Sequence, residues 1–324
     1  MDPIRRAVID VGTNSVKLLV ADVAGRDVRP VWEGSRQTRL GSGFYETRWL
    51  QPEPVARTAE AVAAFAKTAR ENKAGAVRVI ATSAARDAMN PGELVSAIER
   101  DSGLKVEIIS GDQEAEWVFQ GVTTDPELAT QPLLLLDVGG GSTEFILGQG
   151  GHKHFQASFP LGTVRLMERL PHRDPPKPAE LAACRRWLGD FLSRQVQPKL
   201  EPAMQREATA CSEKGALRFV GTGGTGSILA RMEGQWDDFD RGRIEGTRLS
   251  LERVRWHVER LWSLPLARRQ EISGLPGNRA DVILAGAAIY EAVMEQFGIS
   301  ELRISTRGLR FAAVMEAEPA EHAG

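Results

Sequence analysis

Two features this chain has little of narrow its function first. Cysteine occurs twice in 324 residues, at Cys184 and Cys211. That is too sparse for a disulfide framework or a metal-ligand spacing, so buried packing in a reducing compartment is expected. Net charge is equally scarce, because 41 basic and 43 acidic side chains leave −2. No global field then draws the chain to nucleic acid or to a membrane, and a polyanionic ligand needs a local basic patch. Long apolar runs are missing too, since the stretches near Leu133 and Ala285 are too short to cross a bilayer. The opening Met1-Asp2-Pro3-Ile4-Arg5-Arg6 runs into a strand and does not read as a secretory leader. His152 and His154 share a strand face with no third ligand nearby, which argues against a histidine metal site. A cytoplasmic protein is expected, with no nucleic-acid or membrane partner.

What the chain does contain is a repeat. Ile9-Asp10-Val11-Gly12-Thr13-Asn14-Ser15 returns as Leu136-Asp137-Val138-Gly139-Gly140-Gly141-Ser142, and 127 residues separate Asp10 from Asp137. Each copy reads as an apolar strand ending in an aspartate, a glycine-led turn and a second apolar strand. Glycine lets backbone approach a ligand closely, and successive turn amides form a nest for anions. Two such copies offer phosphate cradles, with aspartates able to hold Mg2+, a hard cation that prefers oxygen ligands.

The rest of the pattern alternates strands and helices. A strand over Val28 to Trp32 and an Arg- and Gly-rich loop, Arg36 to Phe44, follow the first hairpin. Pro52 and Pro54 open a helix in which Val55, Ala59, Val62, Ala66 and Ala69 recur at helical spacing. Strands at 76–81 and 105–110, a helix at 91–100, and a helix running to Gly121 complete the first half. The polar segment Thr123 to Pro132 marks the domain boundary. After the second hairpin come a strand to Phe159, a proline-rich loop from Pro171 to Pro178, and helices from Ala179 to about Glu207. A third glycine turn, Gly221 to Ser227, opens another helix. Its Gly223 and Gly224 suit either anion binding at a helix start or close packing. The pattern predicts an α/β chain with a first domain over 1–128, a second over 129–316 and a frayed tail over 317–324. Trp32, Trp49 and Trp117 are expected to pack in the core or at its rim.

Several motifs, in order, resemble the exopolyphosphatase and guanosine pentaphosphate phosphohydrolase (Ppx/GppA) family. They are the two repeated turns, Thr82-Ser83-Ala84-Ala85-Arg86-Asp87-Ala88-Met89-Asn90, Glu107-Ile108-Ile109-Ser110-Gly111-Asp112-Gln113-Glu114-Ala115, Pro160 to Leu166, and Arg279-Ala280-Asp281 with Gly286. The resemblance covers about Ile4 to Val314. It implies two similar domains of the acetate-kinase, sugar-kinase, Hsp70 and actin type (ribonuclease H-like), with the active site in an interdomain cleft. Longer members carry further C-terminal helical domains, so this chain resembles the short two-domain form.

The resemblance also implies roles. Read alone, Glu114 is a first-turn acid that complements the helix dipole, two residues past Asp112 as N-cap. In the family the glutamate here is the general base for the attacking water. Arg86, otherwise a surface arginine, becomes a bidentate clamp on the terminal phosphate. Asp137 and Glu144, on opposite limbs of the second hairpin, support Mg2+, with Asp10 a further metal candidate acting directly or through water. Gly12, Thr13, Asn14, Ser15, Gly139, Gly140, Gly141, Ser142 and Thr143 supply donors to phosphate. Arg36, Arg39 and Arg165 read either as a polyphosphate track or as solvated loop charges. Gln113 departs from the acid often found before the base.

The implied activity is Mg2+-dependent hydrolysis of the terminal phosphoanhydride of inorganic polyphosphate, guanosine pentaphosphate, or both. A kinase of the same fold, or a non-catalytic sensor of these ligands, shares the hairpins. A homodimer is left open.

Overall fold

The computed structural model describes residues 2–210 and 217–316, so Cys211 and the expected frayed tail lie outside the described residues. The chain forms two compact units. One runs to Thr124 and resumes at Arg307; the other spans Asp125–Thr306.

The first unit is built on a five-stranded sheet of order β3-β2-β1-β4-β5. Its strands are β1 (Ile4–Val11), β2 (Ser15–Ala24), β3 (Asp27–Gln37), β4 (Ala76–Ala81) and β5 (Val106–Ile108). β1, β2 and β3 form an antiparallel meander, while β4 and β5 run parallel to β1. Successive strand residues face opposite sides. Ala7, Ile9 and Val11 therefore join one core with Val55, Ala59, Val62, Leu94 and Ile98. Those partners sit on the helices Pro52–Glu71 and Pro91–Ser102, each opened by a proline in its first turn. Val8 and Leu19, equally buried, face the other side. There the helix Leu309–Met315 packs on β1, β2 and the helix Gly111–Val122.

That last helix corrects the sequence reading, which keeps 129–316 in one domain. The apolar segment Leu309–Met315 returns to cover the second face of the first sheet. Its path needs close backbone approach: a Cβ on Gly121 would lie 2.0 Å from the Gly308 carbonyl oxygen. Trp117, also on this face, is buried and its indole N–H donates to Glu316 Oε2 at 3.1 Å, whereas Trp49 is 51% exposed.

The second unit repeats the plan. Its strands are β6 (Leu133–Val138), β7 (Thr143–Gln149), β8 (His152–Phe159), β9 (Arg218–Thr222), β10 (Arg248–Ser250) and β11 (Glu301–Ile304). They order as β10-β11-β9-β6-β7-β8. β6, β7 and β8 form the meander, and β9 and β11 continue it in parallel. The repeat seen in the sequence is thus a repeat of topology, with β10 added at one edge. The helix Ile283–Gln296 is apolar nearly all round, because the helices Leu251–Ser263 and Pro178–Phe191 pack on it. Its Tyr290 is fully buried, with the hydroxyl oxygen 3.3 Å from the Leu136 and 3.2 Å from the Thr222 carbonyl oxygens. One aromatic side chain therefore bridges Leu136 in β6 and Thr222 at the end of β9.

Candidate active site

In each unit the expected residues gather at the C-terminal ends of the parallel strands, where α/β sheets bind ligands. The two glycine turns close alike. Gly12 N–H donates to the Ser15 carbonyl at 3.1 Å, and Gly139 N–H to the Ser142 carbonyl at 2.9 Å.

In the first unit the turn is held from behind. The Asn14 carbonyl accepts from Thr38 N–H and Arg39 N–H at 3.1 and 3.0 Å, and the Thr13 carbonyl from Gly41 N–H at 2.8 Å. Engaging the carbonyls removes their repulsion from an incoming anion. Thr13 and Asn14 are only 3% and 5% exposed, yet Thr13 Oγ1 and Asn14 Nδ2 have no hydrogen-bond partner. Buried donors left unpaired carry a desolvation cost that a bound anion would relieve.

Beside the turn, Thr82 N–H donates to the Val11 carbonyl at 3.2 Å, so the helix Ser83–Asp87 starts against the end of β1. That helix carries Arg86, whose Nη1 donates to Glu114 Oε2 at 2.9 Å and to the Ile109 carbonyl at 3.2 Å. Glu114 is 8% exposed and lies one turn into the helix Gly111–Val122. The N-cap is Ser110, whose Oγ accepts from Gln113 N–H at 3.1 Å; Asp112 lies within the first turn. This corrects the expected cap: Ser110 has the extended backbone a cap requires. Asp10 is 8% exposed, and burial pushes its carboxyl upward against the opposing pull of Lys17 and Arg310.

In the second unit Asp137 and Glu144 are direct partners in the β6–β7 register. Cross-strand partners hold their Cβ atoms about 4.5–5.5 Å apart on one face. Glu144 is 1% exposed, and its Oε1 accepts from Ser158 Oγ at 2.7 Å. The start of the helix Thr163–Arg169 fastens the turn: Thr163 N–H donates to the Gly139 carbonyl at 3.0 Å, and Val164 N–H to that of Gly140 at 2.9 Å. Arg165, a candidate for the phosphate track, puts its Nε on the Gly141 carbonyl at 2.7 Å. Ser142 is buried at the turn, and Thr143 is fully buried with its hydroxyl donating to the Leu161 carbonyl at 2.5 Å. That hydroxyl anchors a loop, which leaves phosphate donation from Thr143 to its backbone.

Gly223 and Gly224 open the helix Gly223–Gly234. Gly223 has φ +81°, and a Cβ there would fall 2.2 Å from Asp137 Oδ1. Close packing against the carboxylate is reason enough for that glycine. Two buried hydroxyls without partners were not singled out as site residues by sequence reasoning, Ser83 Oγ and Thr163 Oγ1. Each follows a strand or turn at a helix start, which was the available signal.

A family model described as the Ppx/GppA phosphatase family matches residues 19–321. The chain belongs to that family. It is 34% identical to exopolyphosphatase 2 of Mycobacterium tuberculosis over 316 residues, covering 93% of this chain and 94% of that protein. A crystal structure of the Aquifex aeolicus Ppx/GppA family member superposes with a TM-score of 0.76 at 29% identity, covering 97% of both chains. An exopolyphosphatase structure from Cytophaga hutchinsonii gives 0.82 at 25% identity, over 95% of this chain and 96% of that one.

This Ppx/GppA protein is therefore a phosphoanhydride hydrolase with the actin-like ATPase fold. Ppx/GppA phosphatases are metal-dependent. Among the described residues no group of three or more His, Cys, Asp or Glu side chains could hold a metal by itself. The paired Asp137 and Glu144 fit a hard cation that takes one or two carboxylates and completes its shell with water and phosphate oxygens. No helix among the described residues is long and apolar enough to cross a membrane.

Proposed function

We propose that the protein is an Mg2+-dependent exopolyphosphatase that removes the terminal phosphate of inorganic polyphosphate, with guanosine pentaphosphate as the second candidate substrate. The observation that carries this reading is the Arg86–Glu114 pair beside a glycine turn with unpaired buried donors. A carboxylate for water and a guanidinium for phosphate, held in contact, suit hydrolysis of a phosphoanhydride. The exopolyphosphatase name of the 34% identical relative supports polyphosphate over a kinase substrate.

In this reading the amides of Gly12 to Ser15 and of Gly139 to Thr143, with the Thr13, Asn14 and Ser142 side chains, orient the phosphate chain. Gly223 and Gly224 border it at the start of their helix. Arg86 turns its fork to the terminal phosphate, where planar guanidinium matches two oxygens. Glu114, released from the arginine, accepts a proton from the water that attacks in line, and the shortened chain leaves. Phosphoryl transfer is mostly positioning and charge stabilisation, so these groups suffice. Asp137 and Glu144 would hold the Mg2+, which when bound neutralises phosphate charge. Asp10, in the first unit, is the further member of that proposed metal set, acting directly or through water. The sparse cysteines and near-neutral charge support a cytoplasmic setting.

The test is phosphate release from polyphosphate, guanosine pentaphosphate and ATP, with Mg2+, Mn2+ or EDTA. Metal-dependent release from polyphosphate above the other substrates is expected. Transfer from ATP to an acceptor, without polyphosphate hydrolysis, would establish the kinase instead.

A further inference from the structure

The last residue of β3 and the segment that follows it grip the first glycine turn. Besides the three backbone bonds to Thr13 and Asn14, Gln37 Nε2 donates to Asn14 Oδ1 at 3.3 Å. The approach is close enough that a Cβ on Gly41 would lie 2.3 Å from Thr13 Cγ2. Thr38 and Leu40 are buried at 2% and 0%, while Arg39 between them is exposed.

Arg39 also has φ 54°, in the left-handed region where glycine is the default. The backbone would adopt this shape more easily as glycine, and its N–H bond to Asn14 needs no side chain. Residues held in such conformations concentrate at ligand clamps. Here the strained residue is a cation, and the backbone it rides on holds the turn whose Thr13 and Asn14 donors are buried and unpaired.

We propose that Arg39 is a substrate-binding residue that takes a non-reacting phosphate of the chain, inward of the group transferred. The inference rests on the polyphosphate reading above. A guanidinium presents paired donors to phosphate oxygens, and a contact beyond the reacting centre contributes to binding equally before and during the reaction. Loss of Arg39 should therefore appear in KM and affinity rather than in kcat.

Arg48 provides an internal control. It is exposed with φ 60°, and its N–H donates to the Phe44 carbonyl at 2.6 Å, within its own short helix. Arg48→Gly removes the same charge and relieves the same conformation. The experiment measures the affinity of a labelled polyphosphate of defined length, the kinetics of phosphate release and the thermal midpoint. Arg39→Gly should melt no lower than wild type, bind polyphosphate about tenfold more weakly and show a matching rise in KM. Arg39→Lys should fall between, and Arg48→Gly should keep wild-type affinity. Wild-type affinity in Arg39→Gly, or an equal loss in Arg48→Gly, overturns the proposal. A wild-type protein that binds polyphosphate but releases no phosphate refutes the hydrolase reading, while the affinity comparison still decides Arg39. Absence of polyphosphate binding by wild type overturns both.

Discussion

Arg86 Nη1 lies 2.9 Å from Glu114 Oε2, so the proposed phosphate clamp and the proposed base are hydrogen-bonded to each other. The contact orients both side chains before substrate arrives. A phosphate competing for the arginine would also free the carboxylate. Arg86→Lys keeps a positive charge but loses the planar fork, and is expected to lower kcat on polyphosphate by about 10- to 100-fold. Arg86→Ala should cost more. A steady-state comparison of the two variants checks this, and equal activity in Arg86→Lys and wild type would contradict the clamp.

Glu144 accepts a hydrogen bond from Ser158 Oγ, which fixes a carboxylate proposed to hold the metal. Groups that orient a ligand in this way commonly change metal affinity by about 10- to 100-fold. Ser158→Ala should raise the Mg2+ concentration needed for half-maximal phosphate release by about tenfold. Saturating kcat should stay closer to wild type. Metal titrations of the two proteins provide the reading.

Gly223→Ala combines two faults, a left-handed backbone and a Cβ 2.2 Å from Asp137 Oδ1. It should destabilise the protein by about 2–4 kcal/mol and reduce activity with it. Gly25→Ala is the contrast, because Gly25 has φ +61° but nothing within 4 Å of an added Cβ. It should cost about 1–2 kcal/mol and leave kcat alone. Denaturant midpoints and kcat together separate the backbone effect from the clash with the carboxylate.

Glu291 is fully buried and accepts from Arg185 Nε at 2.9 Å and Nη2 at 2.6 Å. Burial pushes its carboxyl upward even though Arg185 opposes the shift. Arg185→Met leaves a buried carboxylate without this partner and should cost about 3–5 kcal/mol at neutral pH. A carboxyl raised in the folded state takes up its proton there before the unfolded chain does. Losing Arg185 raises this carboxyl further, so the deficit should shrink as pH falls through the variant's folded-state value and stop changing below the wild type's. Thermal midpoints of variant and wild type, measured between neutral and mildly acid pH, test the sign. A deficit that grows on acidification would contradict it.

Much of this arrangement is legible in the sequence because the groups lie next to one another along the chain. Asp10 with Gly12, and Asp137 with Gly139 and Glu144, sit on single hairpins, so the repeat alone shows two similar units. The Arg86–Glu114 contact is different, because two parallel strands and a crossover helix bring those residues together and spacing gives no sign of it. The helix Leu251–Ser263 escaped the reading although Val254, Val258 and Leu261 lie on its buried side. Arginines and tryptophans along it mask the apolar stripe. The return of Leu309–Met315 to the first unit was also hidden, since an apolar helix does not record which sheet it covers. Ser110 rather than Asp112 caps its helix because the cap depends on backbone shape, and either side chain could serve.

The most direct test is phosphate release from polyphosphate by wild type and Glu114→Gln, each with Mg2+ and with EDTA. Glu114→Gln removes the carboxylate charge at nearly constant shape and should lower metal-dependent release by about 10²- to 10⁴-fold, with polyphosphate binding and the thermal midpoint retained. Release from the variant at the wild-type rate would contradict the assignment of Glu114 as the base.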